Sequence, residues 1–381
     1  MNTTDREKPF EYLRRMSDGT PFGAEIVKKW YIARAFVLSK LTNSALCLRP
    51  NDEKHLHVLI GSDSPLMLCV ARYVALYAHY LNFKEDEADE SRRNRTVISI
   101  VSTDPQIKQK LEEEEYLCNL PKYCKYVDAS GHMENEDSYI DVELQVLREN
   151  IPQAATHTLI IEEQEVNAFF ERSIHDELIL SIDTSMAYYA SQSYALGVEI
   201  DNLPSEDIHC AERYARALDV FQDRILGQEP KLLATPEVWT AMSLCRVKEK
   251  ISNIFCADSF GIRKESIGLC GNHQDAALWR TYFTQLSESE HARWVVEKLI
   301  LGYRPLNREE RNRDILLSVG FKKKSERKDY RKKLKTNDQA PSHIDICSYA
   351  DLRRVDPDSR RYDSFLMLAI PKILRKVQEN N

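Results

Sequence analysis

Between Leu286 and Arg304 the chain reads LSESEHARWVVEKLILGYR, and within it His291, Trp294 and Lys298 stand at i, i+3 and i+7, a spacing that puts them on one helix face. Arg293 adjoins the tryptophan, and Tyr303 and Arg304 follow just beyond, so aromatic and cationic groups gather near one helix end. Such a set suits a flat, anionic ligand. The indole and phenol stack on a base, while a guanidinium grips a phosphate through two parallel hydrogen bonds. The competing use of the same residues is purely structural, a tryptophan anchoring a core with a satisfied histidine beside it. Residues that break bonds show no comparable arrangement. There is no G-x-S-x-G elbow, H-E-x-x-H, Walker A loop or H-x-E…C-x-x-C set. Glu290 and His291 could serve as base and acid, yet nothing positions a nucleophile. A binding protein without catalysis is expected.

A helix must carry these groups. Ser287 with Glu290 has the S-x-x-E spacing of a capping box, which predicts a start there. Val295, Val296, Leu299 and Ile300 supply its apolar side, Gly302 can end it in a left-handed cap, and Pro305 cannot continue it.

EHARWVVEKLILGYR resembles the signature of the RyR domain, the module named for the repeats of ryanodine receptors and found alone or fused in many bacterial proteins. His291, Trp294, Gly302, Tyr303 and Arg304 match the first part of that signature. His343, Asp345, Ile346, Tyr349, Leu352 and Asp363 match the second. Tyr303 stands where the family usually has Trp, Pro305-Leu306 replaces Tyr-Gly, and Ile344 and Ser348 replace two prolines. The resemblance implies a mainly α-helical domain over 286–381 that senses a nucleotide-like small molecule. Trp294 and Tyr303 would supply aromatic surfaces, and Arg304, Lys298 and Arg293 would neutralise phosphate. His291 with Asp345 would orient polar edges, and His343 and Tyr349 would complete the ligand-binding set. Such domains are suspected nucleotide sensors in regulatory and defence settings.

Upstream, a helical lead over 1–52 places Ile26, Trp30, Ala33 and Val37 on one stripe, suited to packing on the next domain or on a second subunit. From 53 to 228 strand and helix patterns alternate, which predicts an α/β fold with a mostly parallel sheet covered on both faces. LHVLIG is the first strand, and Ser64-Pro65 opens a helix with a stripe from Leu66 to Ala78. RTVISIVSTD, KYCKYVD, YIDVELQVL, HTLII and ELILSID are further strands; QIKQKLEEEEYL, EQEVNAFFERS, TSMAYYASQSYALG and AERYARALDVFQDRI are helices. This section is similar to the TrkA N-terminal type of Rossmann domain. That resemblance makes Gly61, Ser62, Asp63, Asp104 and Asp183 the cofactor-binding candidates, with Gly61 at the first turn and Asp104 at the ribose position. Asp63 occupies the middle glycine position of G-x-G-x-x-G, where a carboxylate repels a diphosphate. A retained fold with altered or no cofactor is expected, with NAD or another nucleotide left open.

A linker and helical element over 229–285, in which Trp239, Lys250 and Asn253 resemble a segment of bacterial RyR fusions, reads as a helix packed against the 287–301 helix. Residues 305–340 depart furthest from the family. REERNR and FKKKSERKDYRKKLK make this a basic insertion, read first as a solvated helix or loop and second as a phosphate or acidic-protein contact.

The chain of 381 residues carries a net charge of −7, which argues against general nucleic-acid binding, and no apolar run reaches membrane-span length. MNTTDREKPFEYL lacks a secretory signal's character, so a cytoplasmic location and no membrane partner are expected. The nine cysteines have no zinc-site spacing and read as reduced, mostly buried thiols. A homo-oligomer is expected. Two rival functions stand beside the sensor: an NAD(P)- or nucleotide-dependent enzyme using Gly61, Asp104 and Asp183, and an adapter that binds nucleic acid or an acidic partner through the basic insertion.

Overall fold

The computed structural model describes residues 32–43, 45–89, 92–149, 157–173, 247–269, 276–318, 324–337, 340–357, 359–360 and 363–364, with Met367 and Ile370. Its centre is a six-stranded sheet in the order β4-β3-β5-β2-β1-β6. The strands are β1 (His57–Ile60), β2 (Thr96–Val101), β3 (Lys125–Val127), β4 (Met133–Glu134), β5 (Val142–Leu147) and β6 (Thr158–Ile161). Every pairing is parallel except that of β3 with β4. The α/β expectation holds in this form. β2, TVISIV, is buried on both faces at five consecutive positions, which explains why its sequence shows no polar alternation.

A first helix, α1 (32–41), buries Ala33, Phe36, Val37 and Leu41. It docks through Arg34, whose Nε donates to the Asp258 carboxylate at 2.7 Å. Ile26 and Trp30 lie outside the described residues. α2 (Pro65–Tyr77) starts as expected, with Ser64 accepting from the Met67 N–H and Pro65 in the first turn. The stripe expected for it understates its setting. Met67 through Tyr77 are all buried, because the helix is enclosed rather than laid on a surface.

The polar helix expected after β2 shrinks to α3 (Ile107–Leu111), followed by turns and then α4 (Leu120–Tyr123). α5 (Glu163–Ser173) follows β6, and α6 (Val247–Ser266) and α7 (Ala276–Thr281) lead to α8 (Phe283–Ile300). Asp183 and Trp239, the expected strand ELILSID and the expected helices TSMAYYASQSYALG and AERYARALDVFQDRI lie outside the described residues.

α8 corrects the capping box. The helix begins at Phe283, one turn before Ser287. Ser287 instead donates back to the Phe283 carbonyl at 2.8 Å, and Glu290 faces arginines rather than a helix terminus. The expected stop is right. Gly302 has φ +86°, its N–H bonds the Leu299 carbonyl at 3.1 Å, and the Tyr303 N–H bonds the Lys298 carbonyl at 2.9 Å. This pair of bonds is a Schellman cap, which turns the chain sharply and frees Tyr303 to point inward.

The basic insertion folds as two helices, α9 (Arg308–Ser318) and α10 (Lys324–Lys335). Arg327 and Arg331 of α10 both bond the buried Asp314 of α9. Its neck is closed by a short parallel pair, β7 (Arg304–Pro305) with β8 (Ser342–His343). α11 (Tyr349–Val355) follows, with Ser348 as its N-cap. One apolar core joins the sheet, α2 and the Val295–Leu301 side of α8. Among the described residues no helix is long and apolar enough to cross a membrane. The six described cysteines, Cys47, Cys69, Cys118, Cys124, Cys256 and Cys347, are buried.

Candidate functional site

The periodicity of α8 sets out two faces with different chemistry. On one, Glu290, Arg293 and Glu297 follow at i, i+3 and i+7. Arg293 donates to Glu290 at 2.9 Å and to Glu297 at 2.7 Å, and Arg263 of α6 reaches Glu290 at 2.6 Å. Lys298 completes the row at 2.6 Å from Glu297. All of these groups are buried. Burial works against the charge of Glu290, but Arg293 and Arg263 outweigh it and hold the carboxyl down at about 2. Arg293, expected to meet a ligand, is therefore spent in the interior and does not join the aromatic face. Glu290 is likewise engaged by arginines, and no acid–base pair forms with His291. The sequence already showed the spacing of Glu290, Arg293 and Glu297, but not that Arg263 would arrive from another helix.

The second face carries the aromatic residues. The His291 and Trp294 rings are nearly parallel at 6.2 Å, and the Lys298 ammonium lies 5.4 Å from the Trp294 ring centre. The tryptophan is half-buried, whereas His291 is buried. His291 Nε2 bonds the Cys347 carbonyl at 2.9 Å, and Nδ1 lies 3.4 Å from the Asp363 carboxylate. Burial disfavours the imidazolium, yet the contacts with Asp363 and Cys347 raise the His291 pKa well above its ordinary value. His291 thus ties α8 to Cys347 and Asp363. Tyr349 packs at 5.6 Å from it.

The neck of the insertion delivers the rest. Because β8 lies beside β7, His343 comes to 5.0 Å from the Trp294 ring and 6.1 Å from Tyr303, both edge-on. His343 Nδ1 is 3.5 Å from the Asp345 carboxylate. Asp345 is buried; its Oδ2 accepts from Ser359 at 2.8 Å, while its Oδ1 has no hydrogen-bond partner among the described residues. The Ser342 hydroxyl, also buried, has none either. Burial, aided by Asp356, pushes the Asp345 carboxyl up to about 6, and burial lowers the ammonium of Lys335 nearby on α10. Lys335 was not anticipated, because only the neck brings α10 back beside Asp345.

Arg304 is at the rim, but Glu310 clasps it with two bonds of 2.7 Å. Asn119 fastens this end of α8 to the sheet unit, donating to the Gly302 and Tyr303 carbonyls at 2.8 and 3.0 Å.

At the other candidate site the carboxyl ends of β1, β2 and β6 converge. Gly61 bonds the Ile161 carbonyl, and the Glu162 carboxylate lies over its α-carbon, 2.5 Å from where a Cβ would be. Ser62 donates to Glu163 at 3.0 Å, Asp63 accepts from Ser102 at 2.5 Å, and Asp104 caps the next turn through the Gln106 N–H at 2.8 Å. Asp63, Asp104, Glu162 and Glu163 thus concentrate negative charge where a diphosphate would need backbone N–H groups. Among the described residues no group of three or more His, Cys, Asp or Glu could hold a metal ion.

Compared with protein-family models, curated proteins and solved structures, the chain matches none.

Proposed function

We propose that the chain is a ligand-binding regulatory protein that recognises a flat, nucleotide-like small molecule at the second face of α8, in a domain of RyR type joined to a Rossmann-like sheet unit, and that it performs no catalysis. The observation that carries this reading is the meeting of Trp294 and Tyr303 on the His343 ring, which also lies 3.5 Å from Asp345, a buried carboxylate with one oxygen that has no hydrogen-bond partner among the described residues. Buried polar groups are normally satisfied, and exceptions concentrate where something else binds. A half-buried indole linked to such a carboxylate through His343 offers both a stacking surface and a polar anchor. The residues come from both parts of the two-part motif, separated in sequence by α9 and α10, which favours a shared purpose over chance burial. Occupation of this face would bias the packing of α8 on the sheet unit, which is held by Asn119 and by the bond from Ser289 to the His79 carbonyl. The enzyme reading is weakened by the carboxylates at the sheet end. The adapter reading gains nothing from Arg327 and Arg331, which are turned to Asp314.

A thermal-shift panel of mono-, di- and cyclic nucleotides tests the proposal. A ligand at a hundred times its dissociation constant adds about 2.7 kcal/mol of stability. The expected outcome is stabilisation of the wild type by at least one nucleotide, absent from folded Trp294→Ala. A dinucleotide effect unchanged in Trp294→Ala and altered in Asp63→Ala would transfer the function to the sheet end. Stabilisation by no member would sink the sensor reading.

A further inference from the structure

The hairpin of α9 and α10 separates its charges by side. Residues 308–335 carry twelve cationic and five acidic side chains, a net +7 that leaves −14 on the rest of the chain. The two helices run antiparallel and join along Glu310 and Asp314 of α9 and Arg327, Tyr330 and Arg331 of α10. Arg311 and Ile315 each come one residue after a joining residue, and Lys328 and Lys332 do the same on α10. One residue is about 100° of a helix, and in antiparallel helices that turn brings both pairs to the same side of the joint. Arg308, one turn before Arg311, extends the row. Arg308, Lys328 and Lys332 are exposed, Ile315 is 52% exposed, and none of these cations makes an ion pair among the described residues. The exposed acids Glu309, Glu326 and Asp329 each come one residue before a joining residue, so they lie on the other side.

We infer that this basic side docks on a second copy of the chain, at the carboxyl ends of β1, β2 and β6. Asp63, Asp104 and Glu163 there accept from the Ser102 hydroxyl, the Gln106 N–H and the Ser62 hydroxyl, uncharged donors that leave the negative charge in place. Glu162 is exposed beside them, and Lys110 bonds the Asp63 carbonyl at the margin. The charge of −14 outside the hairpin opposes approach of the body to a phosphate backbone or an anionic lipid surface, whereas a second copy presents acid to base. Ile315, within the basic row, adds apolar area that a protein surface covers and a phosphate backbone does not. Each copy offers one surface of each kind. Two copies can therefore exchange contacts about a two-fold axis, or several can close a ring. The docking is independent of what α8 binds.

The test is sedimentation velocity on the full chain over a range of protein and salt concentrations. At low salt the average mass is expected to rise with protein concentration to at least twice that of the monomer. At about 1 M salt, where the screening length is about 3 Å, it should return to the monomer. Lys328→Glu with Lys332→Glu should abolish the rise, as should Glu162→Lys with Glu163→Lys. Lys333→Glu, in line with Glu326, should leave it unchanged. Mixing the two charge-reversed proteins should restore it, because each supplies the surface that the other has lost. If the acidic-end variant is not folded by its melting curve, Glu162→Lys alone takes its place and should at least halve the rise. A chain that stays monomeric at low salt, or association that survives in the Lys328 and Lys332 variant, would overturn the inference. A monomer that instead pellets with anionic phospholipid vesicles or shifts a single-stranded RNA, and loses that binding in the same variant, would overturn it in favour of that partner.

Discussion

The two faces of α8 handle buried charge in opposite ways. Glu290, Arg293, Glu297, Lys298 and Arg263 form a row in which each charged group meets an opposite one, and the Glu290 carboxyl is held down at about 2. Asp345, beyond the second face, is buried to a similar degree; it accepts from Ser359 and lies 3.5 Å from His343, and burial with the Asp356 charge outweighs Lys335 and Arg331 and pushes its carboxyl up to about 6. Burial alone therefore does not decide a carboxylate's state; the partners do. The first face is complete in its charge pairing, although Arg263 Nε has no hydrogen-bond partner among the described residues. On the second face Asp345 makes no salt bridge to a lysine or arginine among the described residues, and the proposed binding site rests on that difference.

The largest expected effect comes from breaking the complete face. Glu290→Gln leaves Arg263 and Arg293 buried without their shared counter-ion, and a loss of about 3–5 kcal/mol is expected in urea unfolding. A loss below about 1 kcal/mol would mean that the row is not the tight network described.

The incomplete face should respond with the opposite sign. Asp345→Asn removes a charge whose burial is poorly compensated, so the variant is expected to be more stable than the wild type by about 1–3 kcal/mol at pH 7 without ligand. Destabilisation of that size would show that Asp345 already has a full complement of partners and would erase the contrast.

Acidity sharpens the same contrast. The Asp345 carboxyl titrates higher in the folded chain than in the unfolded one, so the folded state holds the extra proton between about pH 4 and about 6. Its contribution to stability is fully present below the unfolded value and is lost as pH rises through about 6. Glu290 behaves inversely, its contribution present above the unfolded value and lost as pH falls through about 2. His291, raised above its usual value, stabilises below the unfolded histidine value and loses that contribution at higher pH. Comparing melting temperatures of the wild type and Asp345→Asn at pH 7.5 and pH 5 cancels His291. The wild type should gain on the variant at the lower pH.

The smallest effect belongs to Arg304 and Glu310, a partly exposed pair. A double-mutant cycle to alanine is expected to give a coupling of about 0.5–1 kcal/mol. A much larger value would make the rim part of the complete network rather than a surface clasp.

Much of this was legible in advance because it is local. The apolar runs at HVLI and TVISIV, the Ser64-Pro65 start and the Gly302 stop are each fixed by residues within a turn of one another. So was the shared face of His291, Trp294 and Lys298. The failures are tertiary. Ser287 and Glu290 had the right spacing for a cap, but Arg263 competes for the glutamate and α8 gains a turn by continuing back to Phe283. Arg293 looked like a phosphate ligand until its two carboxylates were in place. Lys335 carries no signal of its own, since only the return of the chain at β8 makes it a neighbour of Asp345.

That return has a topological consequence. Arg304–Pro305 and Ser342–His343 run in the same direction. A chain lying parallel to itself cannot get there by a tight reversal; it must make a crossover of about a dozen residues or more. α9 and α10 are therefore the path by which the second half of the motif arrives in the right orientation, rather than an appendage to a finished site. Trimming them to a two-residue hairpin would reverse β8 and carry His343 away from Trp294. A shortened chain could keep the site only by retaining some excursion, whatever its sequence.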